Sequence, residues 1–210
     1  MKLKYSIGFI LAFCMVFLFA GLASADASST GFNGSTSVID STYLENETII
    51  TPMAEVPEKY PGTNITVQAG DIIFNPKSIS TFLAGHVGIV GTDGRIYHVH
   101  PQGPYLIDEL NKYIGRFAKG DRFTIVRAYG GGGTAAAKWA MNNIRKVKNY
   151  TFNYPLDNIA DSYCSKFVWQ AYYYGAGNEI ANLYQTSYGY VLPSDIKKYN
   201  SEIGSFTKNY

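Results

Sequence analysis

The chain has 210 residues, 46% of them hydrophobic and 16% charged, with 18 basic and 16 acidic side chains. So apolar and weakly charged a sequence excludes a chain disordered throughout, and it excludes a nucleic-acid binder held by bulk charge. The length suits one well-filled core with further segments attached.

Residues 1–25 read as a signal peptide. Lys2 and Lys4 give a basic start, residues 7–22 a continuous apolar run, and Ala23-Ser24-Ala25 a small-residue cleavage pattern. The run is short for a membrane span. The expectation is an exported protein, secreted or held in the cell envelope, with no stable membrane span once the signal is gone. Removing the two lysines leaves a formally neutral chain. It also removes Cys14, so the mature chain carries one thiol, Cys164, and no internal disulfide. A lone thiol in an oxidising compartment is buried, paired between chains, or used in chemistry.

Residues 26–66 are rich in Ser, Thr, Asn and Gly, with Pro52, Pro57 and Pro61, and read as an extended arm or linker. Residues 67–210 read as the folded domain. Asp71–Phe74 is a short apolar run closed by Asn75-Pro76, hence a buried strand. His86–Val90 and Arg95–His100 flank Asp93-Gly94, a strong hairpin signal. Leu106, Leu110, Ile114 and Phe117 recur at helical spacing. Arg122–Tyr129 is rich in strand formers, and Gly130–Gly133 then breaks the chain. Without a following Gly-Lys-Ser/Thr these glycines read as a turn, not a phosphate loop. Thr134 could cap a helix with Ala136, Ala140, Ile144 and Val147 on one face. A last helix should begin near Cys164 and fade at Gly175 and Gly177. Strands first and helices after make an α+β domain.

All three histidines, His86, His98 and His100, fall within one hairpin. His98 and His100 share a face, because strand side chains alternate. With a three-residue loop, Thr92-Asp93-Gly94, Gly91 pairs with Arg95. His86 then lies opposite His100, and His98 opposite Gly88, which gathers the three imidazoles on one face. Cys164 follows Asp161-Ser162-Tyr163, and Ser162 or Asp161 can cap a helix that starts there. A helix N-terminus favours a thiolate and offers free N–H groups to an oxyanion. A histidine beside it would complete an activated thiol nucleophile. Three other readings stand beside that one. Cys164 could be a buried structural thiol. The histidines could hold zinc with Cys164 as fourth ligand. The tyrosines Tyr172-Tyr173-Tyr174, Tyr184, Tyr188 and Tyr190 could form the carbohydrate-stacking face of a non-enzymatic wall-binding module.

Three stretches resemble a known family when taken in order: Ala69-Gly70-Asp71-Ile72-Ile73-Phe74, Gly85-His86-Val87-Gly88-Ile89-Val90, and Tyr163-Cys164-Ser165-Lys166-Phe167-Val168. They resemble the permuted NlpC/P60 papain-like hydrolases of the YiiX/YaeF-like branch, relatives of lecithin retinol acyltransferase. The resemblance covers residues 67–198, with Pro193-Ser194-Asp195-Ile196 near its end. It implies a circularly permuted papain-like NlpC/P60 domain, a small antiparallel sheet packed on helices. It implies Cys164 as nucleophile, His86 as base and His98 as orienter, with His100 in reserve because it faces His86 in the register above. Many relatives carry Tyr-Asp upstream of the cysteine where this chain has Phe152-Asn153. The implied activity is hydrolysis of amide bonds in cell-wall peptides through an acyl-enzyme, with no metal or cofactor. The same fold also serves thiol acyltransferases and lipid-ester hydrolases.

Overall fold

The computed structural model describes residues 58–76 and 85–210. The signal segment, Cys14 and most of the arm lie outside the described residues. Among the described residues thirteen short elements follow one another, and the strands come first because the most continuous apolar runs do. They are β1 (Ile72–Asn75), β2 (His86–Val90), β3 (Ile96–His100), β4 (Gly103–Asp108), α1 (Leu110–Gly115) and β5 (Arg122–Arg127). Then come α2 (Gly133–Asn143), a 3₁₀ turn at Ile144–Lys146, β6 (Asn149–Tyr150), β7 (Asp161–Ser162), α3 (Cys164–Ala176), α4 (Pro193–Lys198) and β8 (Ser201–Thr207). Six strands form one antiparallel sheet in the order β4-β3-β2-β1-β5-β8.

Both faces of that sheet are covered, so β1 and β2 are buried at every position. One face carries Ile72, Phe74, Val87, Ile89, Tyr97 and Val99 against Ala136, Ala140, Phe167, Val168 and Ala171 of α2 and α3. The other carries Ile73, Val90, Ile96, Phe123 and Ile125 against Leu110, Tyr113, Ile114 and Phe117, with Tyr60 and Phe206. Each fully buried aliphatic or aromatic side chain contributes about 1.5–3 kcal/mol. Tyr60, ahead of residue 67 in the chain, is part of this core and donates its hydroxyl to Asp71 Oδ2 at 2.9 Å.

The stripe Ala136, Ala140, Ile144 and Val147 is buried as its spacing requires. Several boundaries differ from the sequence reading. Residues 103–108 form an edge strand, not the start of a helix, and only Leu110–Gly115 is helical. Pairing with β3 overrides the helical spacing of Leu106 and Leu110. Helix α2 starts at Gly133 with Gly132, at φ 77°, as its cap instead of Thr134. A left-handed entry suits glycine, which has no Cβ to clash. Helix α3 is capped by Tyr163, because Asp161 and Ser162 are drawn into a parallel pairing with β6. The order is also not strands then helices, since β8 returns to pair with β5.

Among the described residues no helix is long and apolar enough to cross a membrane.

Candidate active site

The hairpin between β2 and β3 has the three-residue loop that the sequence requires. Gly91 N–H bonds to the Arg95 carbonyl at 2.7 Å, and the ladder pairs Val90 with Ile96 and Ile89 with Tyr97. Gly94 takes the left-handed conformation at φ 75°. The three imidazoles therefore meet on one face, His86 and His98 with centroids 5.1 Å apart, His86 and His100 5.4 Å, His98 and His100 5.8 Å. Tyr113 and Phe117 close over them, Tyr113 edge-on to the His98 ring at 4.9 Å. The face opposite His98 has to stay bare, and Gly88 keeps it so. A Cβ there would lie 3.3 Å from His98 Cβ and 2.6 Å from Ile96 Cγ2.

The β2–β3 ladder stops at Ile89 and Tyr97, short of the histidines. Successive residues of an antiparallel strand direct their N–H groups to alternate neighbours. Val90 N–H bonds to Asp71, on the β1 side, at 2.9 Å. Counting back, Val87 N–H points toward β3, where the ladder has already opened. The Val87 N–H instead acts on the Cys164 thiol, lowering its pKa against the rise caused by burial. Cys164 stands at the first position of α3, which packs on the other face of the sheet. The opening between β2 and β3 is thus where a thiol from one face reaches the residue adjoining His86, whose side chain lies on the other.

His86 Nε2 lies 3.0 Å from His98 Nδ1, and His98 Nε2 lies 3.0 Å from Asp108 Oδ2. Arg116 clasps the Asp108 carboxylate with Nε and Nη2, the latter at 3.0 Å, and Lys112 Nζ lies 3.2 Å from Oδ1. His98 and Asp108 are buried. Of the two candidates on β3, His98 is hydrogen-bonded to His86. His100 instead accepts the Gln102 N–H at its Nδ1, 3.1 Å away.

Burial lowers the His86 pKa well below its ordinary value, with the charges of His98, His100 and Arg116 adding to it. Burial also lowers His98 and outweighs the raising effect of Asp108. His100 is lowered to about 4, chiefly by desolvation. Burial alone would raise Asp108, but its hydrogen bonds from His98, Arg116 and Lys112 hold it well below the usual carboxylate range. Burial pushes the Cys164 thiol up, against the opposing pull of Val87 N–H, the Ser165 hydroxyl and the N–H groups of Ser165 and Cys164. The expected standing thiolate at the helix start is therefore corrected. A sulfur this well covered loses more from water than the helix end returns, and thiol and imidazole rest neutral.

In the first turn of α3, Phe167 N–H is the first to find a helical partner, the Tyr163 carbonyl at 3.0 Å. The N–H groups of Cys164, Ser165 and Lys166 have none within the helix. The loop before α4 is bolted to this turn by Ser165 Oγ on the Val191 carbonyl at 2.7 Å, and by Val191 N–H on the Tyr163 hydroxyl at 3.0 Å. Tyr163 stacks on half-exposed Phe152 at 4.7 Å, and Tyr154 meets Tyr190 at 4.6 Å. An uncharged aromatic surface therefore adjoins the residue before Cys164. The tyrosines named in the sequence differ widely in exposure: Tyr172 is core, whereas Tyr188 is almost fully exposed.

Asp108 and Arg116 were missed in the sequence. Had residues 103–108 been read as a strand, alternation would have placed Leu106 opposite His98 and Asp108 diagonal to it on the same face. No group of described His, Cys, Asp and Glu side chains is arranged to hold a metal ion.

A family model described as lipoprotein N-acylation protein, LnsA-like, matches residues 35–198. The chain belongs to that LnsA-like family. No curated protein matches it. Among solved structures, the crystal structure of metalloprotein yiiX from Escherichia coli O157:H7 (DUF1105) is similar at 20% identity and a TM-score of 0.47. That match covers 68% of this chain and 98% of the other. The LnsA-like family places the chain with cysteine enzymes that transfer or hydrolyse acyl groups.

Proposed function

We propose that this protein is an exported thiol acyltransferase with a circularly permuted papain-like, NlpC/P60-type site, in which Cys164 carries the acyl group. One observation carries the reading: Cys164 opens α3, and across the sheet His86 is hydrogen-bonded to His98, which is in turn bonded to Asp108. The order of the chain, histidine strands before the cysteine helix, supports the permuted arrangement. Family membership moves acyl transfer ahead of the peptide hydrolysis expected from the sequence. It also supports a lipid ester as acyl donor and a lipoprotein amine as acceptor.

The chemistry follows from two neutral partners. As the Cys164 sulfur attacks the ester carbonyl, its proton passes to His86, the general base. The carbonyl oxygen becomes an oxyanion and meets the free N–H groups of the α3 first turn. Collapse breaks the ester C–O bond, and the alcohol leaves with the proton from His86. A thioester remains on Cys164. The acceptor amine attacks it, giving a proton to His86. The amide forms as the C–S bond breaks, and the sulfur recovers that proton. His98 orients His86 throughout.

Incubation with p-nitrophenyl octanoate tests this. The expected result is a stoichiometric burst of p-nitrophenol, an octanoyl adduct on Cys164 removed by hydroxylamine, and transfer to an added peptide amine. An adduct passed only to water would return the enzyme to the hydrolases. A burst unchanged in Cys164→Ser would refute the thiol mechanism.

A further inference from the structure

We infer that Asp108 is a positioning residue that sets the proton arrangement of both histidines, holding the hydrogen of neutral His86 on Nε2 and leaving its Nδ1 bare as the proton-accepting atom. The inference rests on the acyl-transfer reading, and it follows from counting donors along the chain of contacts. Asp108 lies between Arg116, which has only N–H donors, and the Lys112 ammonium. Arg116 Nε and Nη2 and the Lys112 ammonium donate to its two oxygens, so Asp108 is a carboxylate and can only accept. The His98 nitrogen 3.0 Å away, Nε2, must then carry a hydrogen.

A neutral imidazole has one N–H, and His98 has used it. Its Nδ1 is an acceptor, and the atom 3.0 Å from that acceptor, His86 Nε2, must donate. The hydrogen of neutral His86 is thereby fixed on Nε2, leaving Nδ1 bare. A doubly protonated His98 is disfavoured, because it would set a second cation beside Arg116 in a site closed to water. The groups facing His86 are His98 and His100 from β3, Tyr113, Arg116 and Phe117 from α1 and the turn after it, and Asn75 across on β1. Among the described residues Asp108 is the one carboxylate in hydrogen-bonded series with His86. When His86 takes the thiol proton, its Nε2–H remains on His98, whose far nitrogen remains on Asp108. The new positive charge is then met by a carboxylate two hydrogen bonds away, already aligned before reaction.

The direct test needs no substrate. In the whole protein labelled with ¹⁵N-histidine, long-range ¹H–¹⁵N spectra at neutral pH should show His86 and His98 both protonated at Nε2 and bare at Nδ1. Protonation of His86 at Nδ1 would overturn the proposal. In Asp108→Asn the carboxamide can donate to His98 Nε2, which inverts His98 and, through it, His86. Acylation of Cys164 by p-nitrophenyl octanoate should then fall by about 10²- to 10⁴-fold, the range expected when a general base holds the wrong tautomer. Asp108→Glu should restore the wild-type spectrum and part of the rate. A residue that merely braces α1 would lower the melting temperature of Asp108→Asn while leaving both histidine spectra as in wild type, and that result too would overturn the proposal. Failure of the wild-type protein to be acylated at all would count against the acyl-transfer reading alone, because the spectra are recorded without substrate.

Discussion

A methyl group added at Gly88 would measure how closely the histidine face is packed. The backbone there is ordinary strand, so the cost is steric. The new Cβ would lie 2.6 Å from Ile96 Cγ2, 3.2 Å from Tyr113 Cε2 and 3.3 Å from His98 Cβ. Gly88→Ala should lose about 1–3 kcal/mol in urea unfolding, the usual range for overpacking. Its rate of Cys164 acylation should fall further than that loss implies, since His98 cannot keep its place. Equal stability and rate to wild type would show that the hairpin yields freely. Asn153 also has a defined role. Its Oδ1 accepts Lys166 Nζ at 2.7 Å, and the same ammonium donates to the Asp161 carbonyl at 2.8 Å. Desolvation lowers Lys166 to about 8, against the pull of Asp161 and Asp157. A buried ammonium with two oxygen partners thereby ties residues 153 and 161 to the nucleophile's helix.

At the level of elements, what was legible in the sequence is what local chemistry dictates. Asp93-Gly94 between apolar runs gave the turn, the turn length gave the register, and the register gave the histidine face. The stripe Ala136, Ala140, Ile144 and Val147 gave α2 its buried side, and Gly177 ends α3 in the left-handed conformation at φ 63°. The missing strands are fixed by the strand they pair with, not by their own alternation. Strand β4 is only half buried at most positions, so it has the weak alternation of an edge and imitates a helix. Strand β8 contains Gly204 and only one fully buried apolar residue, Phe206, and is a strand because β5 needs a partner. Missing β4 meant missing Asp108. The rise in the Cys164 pKa was equally hidden, because the position of a residue in a helix can be read locally and its desolvation cannot.

The whole molecule carries its histidines as a liability toward acid. In the unfolded chain each titrates near its model value of about 6.5. In the folded protein His86, His98 and His100 are all lowered, so between neutral pH and the folded values the unfolded state binds more protons. Stability is then fully present above about pH 6.5 and is lost as pH falls, by up to about 1.4 kcal/mol per pH unit for each fully buried imidazole. His100, half exposed, contributes less because water screens it. Asp108, held low by its partners, extends the loss below about pH 4, where the unfolded carboxyl protonates first. Urea midpoints should fall steadily from pH 7 to pH 4.5, about the range over which the unfolded histidines titrate. A flat profile would mean that the three rings are hydrated and free to protonate in the fold. At the opposite edge of the sheet Phe206, beyond the residues that the family model spans, stacks on Phe123 at 5.0 Å.

The interruption between β2 and β3 has a use for anyone following the enzyme at work. A strand amide that would ordinarily belong to a neighbouring strand acts instead on the Cys164 thiol, and in the proposed mechanism that sulfur is the one that changes its bonding during turnover. A thioester sulfur is a poorer acceptor than a thiol, so acylation should release the Val87 amide. Its proton resonance should then move and its exchange with solvent quicken, while neighbouring Ile89, still held in the ladder, stays as it was. Val87 is thus a built-in spectroscopic probe that reports the covalent state of the nucleophile without a label. An amide unmoved by stoichiometric acylation would mean that the sulfur leaves the seam between the strands in some other way.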